Sequence, residues 1–292
     1  MSKTVFSLAK LSAGSIIVAI GLAVAATSAA RAKDRPRAAA KPAIVEVDRW
    51  SGPYAGVVAG FADGRTTAWS TVACPPNGFL CDPVHYPENG ALLGATASGP
   101  QSGHALVAGL AAGYQWHRGS FVYGFEGDIS ALRLSLSRGG SASSLNLGLV
   151  NPGPVPVVAT VSATAAIDWL ATLRGRLGFL ASPDVLVYAT GGLALTELMV
   201  SNAYTDNWVF NGGAVGNSRV RSSVTGYAVG AGAEWAIGQG WALRAEFLHV
   251  DFGALTTSGL VTVVQVPAAQ NPFTSTANLT ANLFRTGLTW RF

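Results

Sequence analysis

Charge is what this sequence has least of. Only 12% of its 292 residues are Asp, Glu, Lys or Arg, about half the quarter usual in soluble domains. That excludes an ordinary soluble enzyme, and the 49% apolar content excludes a disordered chain. Long apolar runs are missing too. Past residue 32 no unbroken stretch reaches the ~20 residues of a membrane helix. The longest, 105–116, is interrupted by Gln115 and bounded by His104 and His117; it suits a strand of ~9–11 residues instead. Cysteine occurs twice, which by itself makes no zinc site. Glycine, in contrast, is abundant: 35 of 292 residues, against a usual ~7%.

What is present is alternation. In the C-terminal stretch Phe284, Thr286, Leu288, Trp290 and Phe292 share one face, and Arg285, Gly287, Thr289 and Arg291 the other. A period of two is a strand. In water the aromatic face would lie uncovered. In a membrane barrel lipid covers it while the arginines face a polar lumen. A strand in lipid leaves no backbone edge unpaired, so the sheet must close.

Residues 1–32 read as a signal peptide: Lys3 and Lys10, an apolar stretch over 11–26, and a small-x-small site at Ala30-Arg31-Ala32, with Ser28-Ala29-Ala30 as the alternative. A retained anchor is the competing reading. Removing the segment leaves sixteen bases against fifteen acids, so the whole chain's +4 says little and nothing points to nucleic acid. Residues 33–49, rich in Pro, Ala and basic side chains, read as a periplasmic linker, with contact to the anionic cell wall as the sharper alternative.

From residue 50 the pattern predicts an all-β fold, an eight-stranded antiparallel transmembrane β-barrel over 50–292. Strands are placed near 53–61, 105–116, 121–131, 167–179, 185–195, 225–237, 241–250 and at the C-terminus. The faces of the fifth are not readable. Short turns near 117–120, 182–184 and 238–240 alternate with long loops over 62–103, 132–165, up to 222, and 251–276. Short periplasmic turns and long extracellular loops are the barrel signature. Trp50, Trp116, Phe121, Phe179, Trp235, Trp241, Trp290 and Phe292 gather at the periplasmic rim as an aromatic girdle.

Segments 51–60, 123–130 (Tyr-Gly-Phe-Glu-Gly-Asp-Ile-Ser), 168–179 (Asp-Trp-Leu-Ala-Thr-Leu-Arg-Gly-Arg-Leu-Gly-Phe), 188–194, 226–235, 241–253 and 285–292 resemble the small outer-membrane proteins of alphaproteobacteria. These are often labelled outer-membrane immunogenic or porin-family proteins, with an OmpA-type barrel. The resemblance implies location in the outer membrane, surface exposure and a role in envelope integrity or host contact. It brings no catalytic residues and no cofactor.

Ten charges point inward: Glu126, Asp128, Asp168, Glu234 and Glu246 against Arg174, Arg176, Arg244, Arg285 and Arg291. An eight-stranded barrel is just wide enough for its own side chains, so these charges are expected to pair and fill the bore. A narrow ion path through them is the rival. At the Gly238-Gln239-Gly240 turn, matching the faces puts Glu234 opposite Arg244, Trp235 opposite Leu243 and Ile237 opposite Trp241. Taken as an isolated pair, Glu234 and Arg244 should tolerate exchange.

Cys74 and Cys81 lie in the first outer loop, beyond the reducing cytosol, and are expected to form a disulfide. The histidines 85, 104, 117 and 249 are scattered; His85 adds little to a zinc reading. His249, facing out near the outer rim, leaves a lipid-modifying enzyme as a distant alternative. Gly230-x-Gly232 lies inside a strand and is no phosphate loop. The reading is therefore a non-enzymatic outer-membrane barrel, with a small diffusion pore as the alternative. Expected partners are outer-membrane lipid and lipopolysaccharide, the barrel-assembly machinery through the C-terminal strand, and a host or cell-surface protein.

Overall fold

The computed structural model describes residues 49–84, 86–147, 155–207 and 213–292, without the side chains of 144–147, 155 and 156. The segments read as a signal peptide and, up to residue 48, a linker lie outside the described residues, as does His85.

Eight antiparallel strands close into a barrel in chain order. They are β1 (Gly52–Val72), β2 (Gly99–Arg118), β3 (Phe121–Leu147), β4 (Val155–Ser182), β5 (Val185–Asp206), β6 (Ala214–Gly238), β7 (Trp241–Val263) and β8 (Gln270–Arg291). One helix, α1 (Pro87–Ala97), sits between β1 and β2. The seam is β1 against β8, paired from Tyr54↔Arg291 to Val72↔Phe273. Two-residue connections, Gly119-Ser120, Pro183-Asp184 and Gln239-Gly240, join the strands at one end.

The strands run well past the expected boundaries. Segments anticipated as loops are largely ladder: β3 and β4 stay paired up to Leu147↔Val155. The physical reason is a change of pattern, not its loss. Lower down, apolar side chains point outward: Val57, Leu110, Ile129, Leu173, Leu193, Leu243 and Phe284 are all exposed. Higher up, Leu132, Leu134, Leu136, Val157, Ala159 and Ile167 are buried inside, while threonines, serines and charged residues predominate at the outer positions. The switch follows a polar ring of outward residues: Asp63, His104, Arg133, Asp168, Glu197, Arg221 and Asp251. Below the ring the wall is dressed for lipid; above it the protein is an ordinary water-facing barrel with an apolar core.

Around residues 168–170 β4 shifts register against both neighbours, between Ala131 and Leu134 of β3 and between Ile167 and Ala171 within β4. Its faces invert there. Leu170 and Ile167 are both buried, and Asp168 is exposed. The expectation of an inward Asp168 is thereby corrected; a strand irregularity re-aims the side chains beyond it. β5 alternates regularly after all: Leu186, Tyr188, Thr190, Ala194, Thr196 and Leu198 are inside, and Val187, Leu193 and Leu195 outside. Both faces are apolar, so polarity could not tell them apart.

At the third turn Glu234 pairs with Arg244 and Trp235 with Leu243. Gly238, not Ile237, faces Trp241, because the ladder shifts between Ala236 and Gly238. Gln239 and Gly240 both take positive φ, 53° and 82°, as two-residue hairpin turns require. The one-residue irregularity reconciles that short turn with matched faces above it.

Gly60 shows how tightly the seam closes. A β-carbon there would collide with the backbone carbonyl of Phe284 on β8. Gly60→Ala should therefore destabilise the closed barrel by about 1–3 kcal/mol. On an unboiled gel its compact band should convert to the unfolded one at a lower temperature than wild type; an unchanged conversion temperature would contradict this seam.

Candidate functional site

Two places in the barrel concentrate polar chemistry: the bore near the short turns, and the cap at the opposite mouth.

In the bore, nine inward charges meet. Arg174 donates to Glu126 (2.8 Å), Asp128 (2.7 Å) and Glu246 (3.0 Å). Arg285 reaches Asp128 (2.8 Å) and Glu246. Glu234 gathers Arg176 (2.6 Å), Arg244 (2.8 Å) and Arg291 (2.5 Å). Glu126 also accepts from Arg176 and Arg244. Every one of these side chains is at most 5% exposed. Tyr54 donates to Glu126 (2.8 Å) and Tyr188 to Glu246 (3.1 Å). The Arg176 guanidinium lies over the Tyr188 ring at 4.0 Å.

Register explains the convergence. Glu126 faces Arg174 across β3–β4, Glu234 faces Arg244 across β6–β7, and Glu246 faces Arg285 across β7–β8. Pairs on opposite walls then meet directly across the narrow bore. Asp168 takes no part, since it sits on the outer polar ring. The charges gathered in the lower bore are therefore five guanidiniums against four carboxylates, not five against five.

Trp50 also departs from the expected girdle. It is 2% exposed, not lipid-facing. Its indole donates to the Pro183 carbonyl (3.0 Å) and covers the Arg291 guanidinium at 4.5 Å. It closes the end of the bore, anchored beside the Arg49–Asp184 ion pair. A tryptophan at a rim reads the same in sequence whether it points to lipid or folds into the mouth. Trp116, Phe121, Phe179, Trp235, Trp241, Trp290 and Phe292 are outward and exposed. Several touch: Trp116 and Tyr123 stack at 5.7 Å, Phe121 meets Phe179 at 5.7 Å, and Trp290 meets Phe292 at 4.3 Å.

Above the charges the bore is apolar. Leu132, Leu134, Ile167, Leu198, Leu248, Val250, Leu279 and Leu283 form one packed cluster. Leu80, Leu93, Val157, Val161, Val261 and Val263 belong to another under the cap. Sequence reasoning missed this layering. It treated the upper segments as loops, and the inward leucines at 132, 134 and 136 were the available signal.

The cap is built on the Cys74–Cys81 disulfide. Asn271 of β8 holds it: its carboxamide oxygen accepts from the Phe79 and Leu80 amides (both 2.9 Å), and its nitrogen donates to the Ala73 (2.9 Å) and Cys81 (3.1 Å) carbonyls. α1 starts with Pro87 and an acidic Glu88 in its first turn, both favourable at a helix N-terminus. Gly90 presses against both sulfurs, where a β-carbon would come within 3.0 Å. Asn89 donates to the Leu80 carbonyl (2.8 Å). Helix and disulfide loop thus form one lid. At the outer polar ring His249 bonds to Asn282 (2.8 Å) and lies beside Tyr227, whose hydroxyl reaches Asp251.

The family model for the outer membrane protein beta-barrel domain matches residues 17–292. The chain belongs to that family. It is 30% identical over 242 residues to the 31 kDa outer-membrane immunogenic protein of Brucella melitensis biotype 1, covering 82% of this chain and 87% of the relative, and equally similar to its Brucella suis counterpart. It is 27% identical over 140 residues to the 22 kDa outer membrane protein of Rhizobium leguminosarum bv. viciae, about half of each chain. Among solved structures the outer membrane protease OmpT from Escherichia coli aligns with a TM-score of 0.41 at 11% identity, covering 82% of this chain and 97% of that one. OprG from Pseudomonas aeruginosa aligns at 0.39 and 10%, covering 83% and 97%. This family member is thus a protein of the outer membrane, and its lower wall sits among lipid.

Two outcomes test this geometry. Glu234→Ala and Arg244→Ala should each cost about 3–5 kcal/mol, because each strands buried charge. The double variant should cost clearly less than the two losses combined. Exchange by Glu234→Arg with Arg244→Glu should not rescue, since it places a cation against Arg176 and Arg291 and an anion against Glu126. Urea unfolding in detergent or lipid measures all four; additive losses or full rescue would argue against the shared network. For the cap, thiol blocking should label no cysteine before reduction and both after it.

Proposed function

We propose that this protein is a non-enzymatic outer-membrane barrel that supports the envelope and presents its outer half to the surroundings. The observation that carries the reading is the filling of the bore. Buried ion pairs occupy its lower part, apolar side chains its upper part, Trp50 covers one end and the α1–disulfide lid the other. Such a bore offers solutes no aqueous path. Residues 1–32 serve as the signal peptide and 33–49 as a periplasmic linker in this reading. The barrel-assembly machinery engages β8, lipid and lipopolysaccharide surround the wall, and a host or cell-surface protein meets the outer half. The Brucella relatives are named immunogenic, which fits a protein whose outer surface is accessible. His249 is hydrogen-bonded to the Asn282 side chain beside the Tyr227 ring.

Purified protein in planar bilayers should give no stable unitary conductance. A deletion strain should gain detergent sensitivity or lose adhesion while its solute uptake stays unchanged. Reproducible ion-selective steps that change in Arg174→Ala would favour the diffusion pore instead.

A further inference from the structure

We infer that the turn-side end of the bore is a binding site for a small monovalent anion, of which chloride is the type, held by Arg176, Arg244, Arg291 and Gln115.

The inference starts from where the charge imbalance lies. Asp128 and Glu246 are matched by Arg174 and Arg285. Nearer the turns, Glu126 and Glu234 face Arg176, Arg244 and Arg291. The excess positive charge therefore belongs to the lower layer. Among the described residues, the carboxylate that reaches Arg291 is Glu234, which two other guanidiniums already share. Arginine cannot shed the excess by losing a proton. Burying a charge without a counter-charge is costly, and Arg291 is 7% exposed, beneath Trp50.

Unused donors lie in the same layer. Arg176 Nε, Arg244 Nη1, Arg291 Nε and Gln115 Nε2 are buried without a protein acceptor. Their residues are 6%, 3%, 7% and 1% exposed. The ladders bring them together. Gln115 pairs with Gly124, and Gly124 pairs with Arg176, so a position without a side chain lies between them. Gln115 also pairs with Gly52, two residues before Tyr54, whose partner is Arg291. All four unused groups are N–H donors. Water could accept from them but would not neutralise the layer; an anion does both. A spherical monovalent ion suits a crowded bore, because it accepts from any direction and brings one negative charge.

The test uses the full folded barrel in detergent. At constant ionic strength, chloride is exchanged for the bulky anion gluconate, and the midpoint of heat unfolding is followed. The midpoint should rise by several degrees with chloride and saturate. Bromide-soaked crystals should show an anomalous peak within hydrogen-bonding reach of Arg244 and Arg291. Arg291→Gln removes the excess charge and should abolish the chloride dependence. Gln115→Leu removes one donor and should weaken half-saturation several-fold. A wild-type midpoint equal in both salts, with no bromide peak, overturns the site. So does the same chloride response in Arg291→Gln. Should that variant fail to assemble, the wild-type bromide map decides by itself.

Discussion

Every backbone amide and carbonyl facing lipid must find a partner within the protein, because no water is there to serve. The rest of this molecule follows from that constraint. It forces β8 back onto β1, and closing the ring on eight strands fixes a bore about one layer of side chains wide. Whatever points inward must then pack or pair. The close β1–β8 approach at Gly60 and the crowding of nine charges around the axis are two results of one closure.

The wall answers to two solvents along its length. Below the ring marked by Asp63, Asp168 and Asp251 the outside is apolar and the inside charged; above it the inside is apolar and the outside mainly threonine, serine and scattered charge. The ion-pair layer and the leucine layer are therefore alternative fillings of one tube, each set opposite in character to the medium outside. Buried ion pairs are not inherently more stabilising than apolar packing. Their advantage here is geometric: guanidiniums and carboxylates reach across the bore and bind opposite walls to each other, as Arg174 does from β4 to Glu246 on β7.

The lower half was largely legible from sequence because both faces carried information there. Phe121, Tyr123, Phe125 and Ile129 alternate with Glu126 and Asp128, and the structure places the two sets on opposite faces. The register at Glu234 and Arg244 was accessible because faces must match across a hairpin. The upper half was not legible, for a specific reason. Once the outer positions turn to serine and glycine, as beside Leu134 and Leu136, the stretch reads as loop unless apolar residues are also tested for an inward face. Asp168 was misplaced because a strand irregularity has no compositional mark. Trp50 was misplaced because amphipathic rings suit a membrane interface and a plugged mouth equally well. α1 was missed within a loop rich in proline and glycine, where Pro87 and Glu88 at its start were the local cues.

The lid carries a consequence for timing. Its disulfide joins residues seven apart and close by chance of sequence alone, so it can form early. Four of the hydrogen bonds that seat the disulfide loop are made with Asn271, on the last strand to be made. They cannot exist until the end of the chain has met its beginning. The disulfide loop is thus latched only on a completed ring, and a latched outer mouth is a mark of finished assembly.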